Sequence, residues 1–346
     1  MKQISAVVPL YNSSSYILNL LKSLKKQNLS DIELLFIDDG SRDNTRNIIE
    51  QYLIDNRDSF YDYSIVSQNN RGVSYARNVG LDIAKGQWVV FIDADDLIHP
   101  EFFNIIRMLI LSKPKADFIA YGHSIIKSYD YKWREDSADL EIYSVKGEQV
   151  QGLIQNILNN DRDYIVNGNQ IKLTTVWKCY KKKFLDENNI RFVPSLITGE
   201  DAVFNVNVLK YAKEVIYTPK PIYGYMQREG SATHRYFPKC QTTFDLIHKL
   251  YRTSIPESCL YNKNDILGER YLWSLGFCFI LDYCHKANKE SLWAIRREYI
   301  DNYITNYKDS ISDISLNRFH LKKRCMFFML KKGWFWLPYI LTKLIS

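Results

Sequence analysis

The chain has 346 residues, 46% of them apolar and 25% charged, enough to bury a full core and to carry one large domain with an appendage. That balance argues against disorder, and six cysteines at 179, 240, 259, 278, 284 and 325, without a C-x-x-C pair or zinc-type histidine spacing, support neither a disulfide framework nor a zinc module and suit a reducing cytosol. The net charge is +7, and residues 318–346 alone hold seven basic side chains (Arg318, Lys322, Lys323, Arg324, Lys331, Lys332, Lys343) and no acid, so the remainder is formally neutral. A main domain built for nucleic acid would carry the basic surface itself, so this distribution predicts a tail that meets something anionic.

The apolar run at 4–10 is short, contains Pro9 and flows into a patterned domain, so it reads as a first strand rather than a signal peptide. Further strands are expected at 33–37, 63–66, 88–92 and 118–121, with helices at 16–26, 44–54, 73–84 and 100–111 between them. Such alternation implies an α/β fold, a parallel sheet with helices on both faces. Residues 122–175 lose the alternation: 127–143 reads as a loop or small hairpin and 148–158 as a helix. Helices follow near 181–188 and 201–212, then two short strands at 215–217 and 222–227, and the chain beyond Pro238 reads as helical. No G-x-G-x-x-G follows the first strand and no G-x-x-x-x-G-K-[ST] occurs, so any nucleotide is held in another way.

Two strands end in carboxylates: Asp38 and Asp39 after the second, and Asp93, Asp95 and Asp96 after the fourth. In a parallel sheet these ends share the edge where open α/β folds bind ligands. Like charges gathered there repel one another unless a cation joins them, and an all-oxygen set points to Mg²⁺ or Mn²⁺. Asp-rich turns also cap helices, and Asp38 or Asp43 fits that plainer role.

The ordered segments VVPLYN, IDDGSRDNT, NNRGVSYARNVG, FIDADD and GEDAVFN resemble the family 2 glycosyltransferases of the GT-A fold, over roughly residues 4–235. The resemblance implies a Rossmann-like, mainly parallel sheet in a catalytic domain over 1–235, followed by a helical region over 236–346. It implies that Pro9 and Tyr11 form the loop whose ring lies on the nucleotide base, usually uracil, and that Asp39 reads the base edge. Asn70 and Arg77 then line the donor pocket, Asp93, Ala94 and Asp95 form the D-x-D that meets ribose and metal, and Asp201 is the general base with Glu200 beside it.

A flat base does want an aromatic face and one acceptor, which Tyr11 and Asp39 supply from neighbouring strand ends. Plainer readings stand beside these: Tyr11 as a packing aromatic, Arg77 as an exposed helix cation, and Glu200 with Asp201 as a helix cap. His234, in SATHR, is a candidate extra metal or phosphate contact or a surface residue, and Lys178, Lys181, Lys182 and Lys183 face an acceptor diphosphate or solvent.

The tail mixes its cations with Met326, Phe327, Phe328, Trp334, Phe335, Trp336 and Tyr339. Its longest uncharged stretch, 333–342, is ten residues and contains Pro338, half of the roughly 20 that a bilayer needs. The composition fits an interfacial helix on anionic lipid, although the aromatics also suit packing on the helical region; no RNA-binding module is recognisable.

The expectation is therefore an inverting, metal-dependent transferase moving a sugar from a nucleotide-sugar, a UDP-sugar first, to a hydroxyl of a lipid-linked glycan. It would act in capsule, O-antigen or exopolysaccharide assembly at the cytoplasmic face of a bacterial membrane. The alternatives are an inactive transferase-like membrane scaffold and a metal-dependent nucleotidyltransferase.

Overall fold

The computed structural model describes residues 2–133, 140–158, 164–166, 169–171, 173–227, 236–256, 262–317 and 319–345. It divides into two compact units, Met1–Leu153 with Asp163–Arg228, and Ile154–Arg162 with Glu229–Ser346.

The first half of the first unit runs β1 (Ile4–Leu10), α1 (Ile17–Lys25), β2 (Ile32–Asp38), α2 (Thr45–Asp55), β3 (Tyr63–Ser67), α3 (Val73–Ile83) and β4 (Trp88–Phe91). Next come β5 (Leu97–Ile98), α4 (Phe102–Ser112), β6 (Phe118–Ile126), β7 (Tyr143–Lys146) and α5 (Glu148–Leu158). A small pair, β8 (Tyr164–Val166) and β9 (Asn169–Ile171), precedes β10 (Cys179–Lys181), α6 (Lys182–Glu187), α7 (Glu200–Tyr211) and β11 (Glu214–Met226).

The large sheet has the order β3-β2-β1-β4-β10-β6-β11-β5, with β7 on β11. Parallel ladders β2/β3, β1/β2, β1/β4 and β6/β11 carry four to nine registered pairs each. The antiparallel contacts of β10, β5 and β7 carry only two to four, so the sheet is mainly parallel.

Alternation along β1 explains the two helical layers. Ile4, Ala6 and Val8 join Leu20, Leu24, Ile49 and Phe102 in one core, whereas Val7 faces α3 so closely that a Cβ on Gly80 would come within 2.3 Å of it. On that second face Phe91 meets the edges of Phe192 and Phe204, at 5.2 and 6.1 Å. Each fully buried Leu or Ile in these layers contributes roughly 1.5–3 kcal/mol.

The expected alternation of strands and helices is present, with three corrections. The residues near 181 begin with the three-residue strand β10, inserted antiparallel between β4 and β6. Strands at 215–217 and 222–227 are one strand, β11, whose register slips around Thr218–Pro221 because Pro219 and Pro221 cannot donate to a ladder. Residues 143–146 form β7 on the outer side of β11.

The second unit is helical, as expected: α8 (Cys240–Ser254), α9 (Lys263–Cys278), α10 (Leu292–Asn302), α11 (Lys308–Ile311), α12 (Leu321–Lys331) and α13 (Trp336–Ile345). The side chain of Asn262 accepts from Asn264 N–H to open α9, and Ser291 accepts from Ala294 N–H to open α10. Phe279, Tyr299 and Phe335 meet at centroid separations of 5.2–5.8 Å. Among the described residues no helix is long and apolar enough to cross a membrane.

Candidate active site

The carboxyl ends of β1, β2 and β4 bring the sequence motifs to one edge. Pro9 is buried in β1 opposite Ile37, and Leu10 lies opposite Asp38 and accepts from Asp39 N–H at 2.8 Å. Tyr11 follows at once with its side chain exposed, which leaves its ring free of the core.

Asp39 is buried, and its carboxylate accepts from Gln68 Nε2 at 2.7 Å, Arg71 N at 2.9 Å and Gly72 N at 2.7 Å. It therefore fixes the loop that carries the exposed Asn70, and one of its roughly four acceptor positions remains. Gly40, at φ +74°, turns the chain beneath that loop; a Cβ there would lie 2.9 Å from Asn70 N.

Asp38 and Asp43 hold local turns. Asp38 accepts from Ser41 N at 3.0 Å, and Asp43 from Ser14 N at 3.0 Å and Thr45 N at 3.1 Å. Burial opposes ionisation of Asp43, but the bonds from Thr45 and Ser14 prevail and hold its pKa at about 2.

The centre of the crevice is Arg77, on α3. Its guanidinium is buried and donates from Nη2 to Asp93 Oδ1 at 3.0 Å, and from Nη1 to Asp201 Oδ1 at 2.7 Å and Glu200 Oε1 at 3.2 Å. Desolvation works against its charge, yet the three carboxylates keep it protonated. The exposed-cation reading of Arg77 is thereby corrected: a helix interior position facing the sheet edge has turned the residue inward.

Glu200 and Asp201 open α7 after Gly199, whose φ of +73° starts the helix abruptly. Their carboxylates go to Arg77 and, for Asp201 Oδ2, to Val176 N at 3.3 Å. Desolvation, with Glu200 and Asp93 adding to it and Arg77 opposing, pushes the Asp201 pKa up to about 8.

The D-A-D-D turn is anchored from below. Asp96 is buried and accepts from Tyr223 O–H at 2.7 Å and Met226 N–H at 2.8 Å, while the same Tyr223 oxygen accepts from Asp93 N–H at 3.0 Å. Burial first, and then the neighbouring charges of Asp93 and Asp95, push the Asp96 carboxyl well up. Trp177 stacks on Tyr223 at 4.9 Å with parallel planes. Nothing in the sequence distinguished Asp96 from its neighbours as the structural member, or singled out Tyr223.

Ala94 is buried within the turn, and Asp95, half-buried, has its carbonyl taken by Tyr129 O–H at 3.0 Å. His234 lies outside the described residues. The basic group scatters: Lys178 is buried with Nζ on Thr175 Oγ1 and Trp177 O, Lys181 reaches Pro114 O, and Lys182 and Lys183 pair with Asp186 and Glu187.

Among the described residues no three His, Cys, Asp or Glu side chains converge as a protein-only metal cage. Mg²⁺ and Mn²⁺ sites in phosphoryl chemistry need only one or two carboxylates plus substrate phosphates, so Asp95, with Asp93 beside it, fits such an ion. The like charges expected to need a metal are already met in part by the protein itself, because Arg77 pairs with Asp93, Glu200 and Asp201.

A mainly parallel sheet whose acidic strand ends face a helix carrying a Glu-Asp pair defines an enzyme of the GT-A type, a glycosyltransferase. The chain belongs to glycosyl transferase family 2, whose model matches residues 5–183, just over half of its length. Glycosyltransferase GlyG of Streptococcus pneumoniae is 29% identical over 249 residues, 70% of this chain and 74% of GlyG. Poly(ribitol-phosphate) beta-N-acetylglucosaminyltransferase TarS of Staphylococcus aureus is 30% identical over 236 residues, 66% of this chain and 36% of TarS. The crystal structure of TarS 1–349 in complex with UDP superposes with a TM-score of 0.63 at 21% identity, covering 99% of this chain and 90% of that one. Mannosyltransferase PcManGT of Pyrobaculum calidifontis, solved with GDP-Man and Mn²⁺, gives a TM-score of 0.50 at 13% identity, covering 99% and 87%. These likenesses of structure establish the fold.

Proposed function

We propose that this glycosyltransferase moves a sugar from a nucleoside-diphosphate sugar, a UDP-sugar first, onto a hydroxyl of a glycan acceptor with inversion at the transferred carbon. The carrying observation is Arg77, which joins Asp93 and Asp201 to one cation and so ties the donor and acceptor sides of the crevice together.

The acceptor O–H gives its proton to Asp201 as its oxygen forms the bond to the anomeric carbon. The bond from that carbon to the diphosphate breaks on the opposite face, and its electron pair leaves with the nucleoside diphosphate. A raised pKa suits a base near neutral pH, and Oδ2, which accepts from Val176 N at a long 3.3 Å, has capacity for the proton. Glu200 shares Arg77 and keeps that guanidinium from neutralising Asp201 fully.

Tyr11 would lie on the base and Asp39 would read its edge, with Pro9 shaping the loop and Asn70, Arg77, Asp93 and Ala94 framing the donor. TarS solved with UDP supports uridine as the first base to try. When bound, Mn²⁺ or Mg²⁺ on Asp95 would supply Lewis-acid help to the departing diphosphate. A transferase domain over 1–235 and a helical region over 236–346 remain the working division.

The membrane reading, with the enzyme on the inner face and a lipid-linked acceptor in cell-surface polysaccharide synthesis, draws on the tail. Trp336, Ile340 and Leu344 recur at helical spacing on α13 and are exposed, as are Leu321 and Phe328 on α12, among Lys322, Arg324, Lys332 and Lys343. Paired apolar stripes flanked by cations suit an anionic lipid surface.

Calorimetric titration of the full chain with UDP-, GDP-, CMP- and dTDP-sugars, each with and without Mn²⁺, tests the reading. Metal-dependent binding of a UDP-sugar is the expected result; a folded protein that binds none of them defeats it.

A further inference from the structure

A second cleft in the first unit offers, among its described residues, cationic and neutral groups where the catalytic crevice offers carboxylates. Its volume is about 570 Å³, within the roughly 300–1,000 Å³ of small-molecule sites. His99, His123, Ser124, Tyr131, Trp133 and Lys220 line it, and among the described residues none of its lining is acidic.

The walls are built rather than incidental. Tyr129, Tyr131 and Trp133 pack on Leu97, Ile126 and Met226, and Trp133 meets the His99 and Tyr131 rings edge-on at 5.1 and 5.2 Å. Tyr131 O–H donates to Ser124 Oγ at 3.0 Å. Lys220 is carried in by the slip in β11 register between Thr218 and Pro221.

The polar groups offered are mainly donors. His99 Nδ1 accepts from Glu101 N–H at 3.0 Å, which puts the proton of the neutral ring on Nε2. Burial and then the charge of Lys220 lower the His99 pKa, so the ring stays neutral at pH 7, while Glu101 opposes that shift. The Lys220 ammonium has no hydrogen bond or ion pair among the described residues.

Donors and one unpaired cation select oxygen-rich anions, and the faces of Trp133 and Tyr131 add flat apolar surface of the kind that packs on the C–H side of a sugar ring. We propose that this cleft binds a sugar unit bearing an anionic substituent, a phosphate or a carboxylate, at a site separate from the donor crevice. The ligand is either a unit of the acceptor glycan or a free sugar phosphate. His99 follows Asp95 by four residues, about 14 Å of extended chain at most, and Tyr129 O–H holds the Asp95 carbonyl, so the cleft is mechanically joined to the D-A-D-D turn.

The proposal stands on the cleft alone and is tested by binding, apart from transfer. Full-length protein is titrated with glucose 1-phosphate, glucose, inorganic phosphate and a phosphodiester-linked oligosaccharide, with and without saturating UDP and Mn²⁺. Glucose 1-phosphate is expected to bind whether or not UDP is present, and more tightly than glucose or phosphate by about tenfold, the worth of one charge-assisted hydrogen bond. Lys220→Ala should weaken it about tenfold with the melting temperature unchanged, and Lys220→Arg should restore it; Trp133→Ala should weaken it about tenfold as well, measured at a temperature where that variant is still folded. Tighter binding of the oligosaccharide, with both variants raising the acceptor KM at constant kcat, assigns the cleft to the acceptor; tighter binding of the monomer assigns it to a free sugar phosphate. Displacement by UDP, equal binding of phosphate alone, indifference to both substitutions, or no binding of any sugar phosphate overturns the proposal.

Discussion

Arg77 Nη1 stands 2.7 Å from Asp201 Oδ1, so a carboxylate on one helix is held by a cation on another, 124 residues earlier in the chain. Asp93 and Glu200 depend on the same guanidinium. Arg77→Ala leaves three partly buried carboxylates without their partner, a change that costs about 3–5 kcal/mol in buried ion pairs. Urea unfolding should register a loss of that order, whereas Arg77→Lys, which keeps the charge but not the fork, should fall between. Unchanged stability in the alanine variant would mean that the clamp carries no weight.

Asp201→Asn keeps the shape and removes the proposed proton acceptor. Transfer should fall about 10²- to 10⁴-fold in kcat while the Kd for UDP stays within about twofold of the parent. Because burial raises the Asp201 pKa to about 8, kcat/KM of the parent should climb with pH along a limb centred near 8. The stability linkage has the opposite sign: a carboxyl raised above its unfolded value of 3.8 stabilises the fold below that value, and the contribution is lost as pH rises through about 8. The asparagine variant should lose both dependences; an unaltered rate profile would assign the base elsewhere.

The strands were legible where apolar runs were long. LLFI and WVVF lie in β2 and β4, buried on both sides. Strand β10 escaped because three residues flanked by lysines read as a helix start, and β11 looked like two strands because Pro219 and Pro221 interrupt its pattern without ending it. The acidic members of the site were legible as motifs. Their wiring was not: sequence spacing gives no sign that Arg77 would reach Asp93 and Asp201 together, or that Asp96 would turn down to Tyr223 while Asp95 stayed near the surface. Those relations arise only when distant segments pack.

Tyr223→Phe removes one oxygen that accepts from Asp93 N–H and donates to Asp96. The ring still stacks on Trp177, so the loss is confined to hydrogen bonds. Leaving a buried carboxyl and an amide short of a partner should cost about 1–3 kcal/mol, measured by thermal or urea unfolding. Since the D-A-D-D turn then loosens, Mn²⁺-dependent binding of a UDP-sugar should weaken while metal-free UDP binding changes little. Equal weakening of both would place the effect in the general fold instead.

The tail prediction separates two uses of its aromatic residues. Phe327 and Phe335 are buried, and Phe327 meets Trp273 edge-on at 5.3 Å, so part of the aromatic content does pack within the helical unit, as the plainer reading held. Trp336, Ile340 and Leu344 stay exposed, with Lys343 among them, although burying such side chains is worth roughly 1.5–3 kcal/mol each. If anionic lipid covers this face, Trp336→Ser with Ile340→Ser should reduce co-sedimentation with phosphatidylglycerol vesicles by about tenfold or more. Reversing Lys322 and Arg324 to Glu should do so as well, through the roughly 1 kcal/mol that each surface cation contributes, and added salt should mimic that loss but only partly the first. Lys322 and Arg324 are exposed, so the melting temperature of the charge-reversal variant should hold, whereas Trp336 also meets the Phe335 ring edge-on at 5.3 Å, so vesicle binding of the serine variant is measured below its own melting temperature. Equal binding to phosphatidylcholine vesicles, or no response to either pair, would return these side chains to an ordinary protein surface.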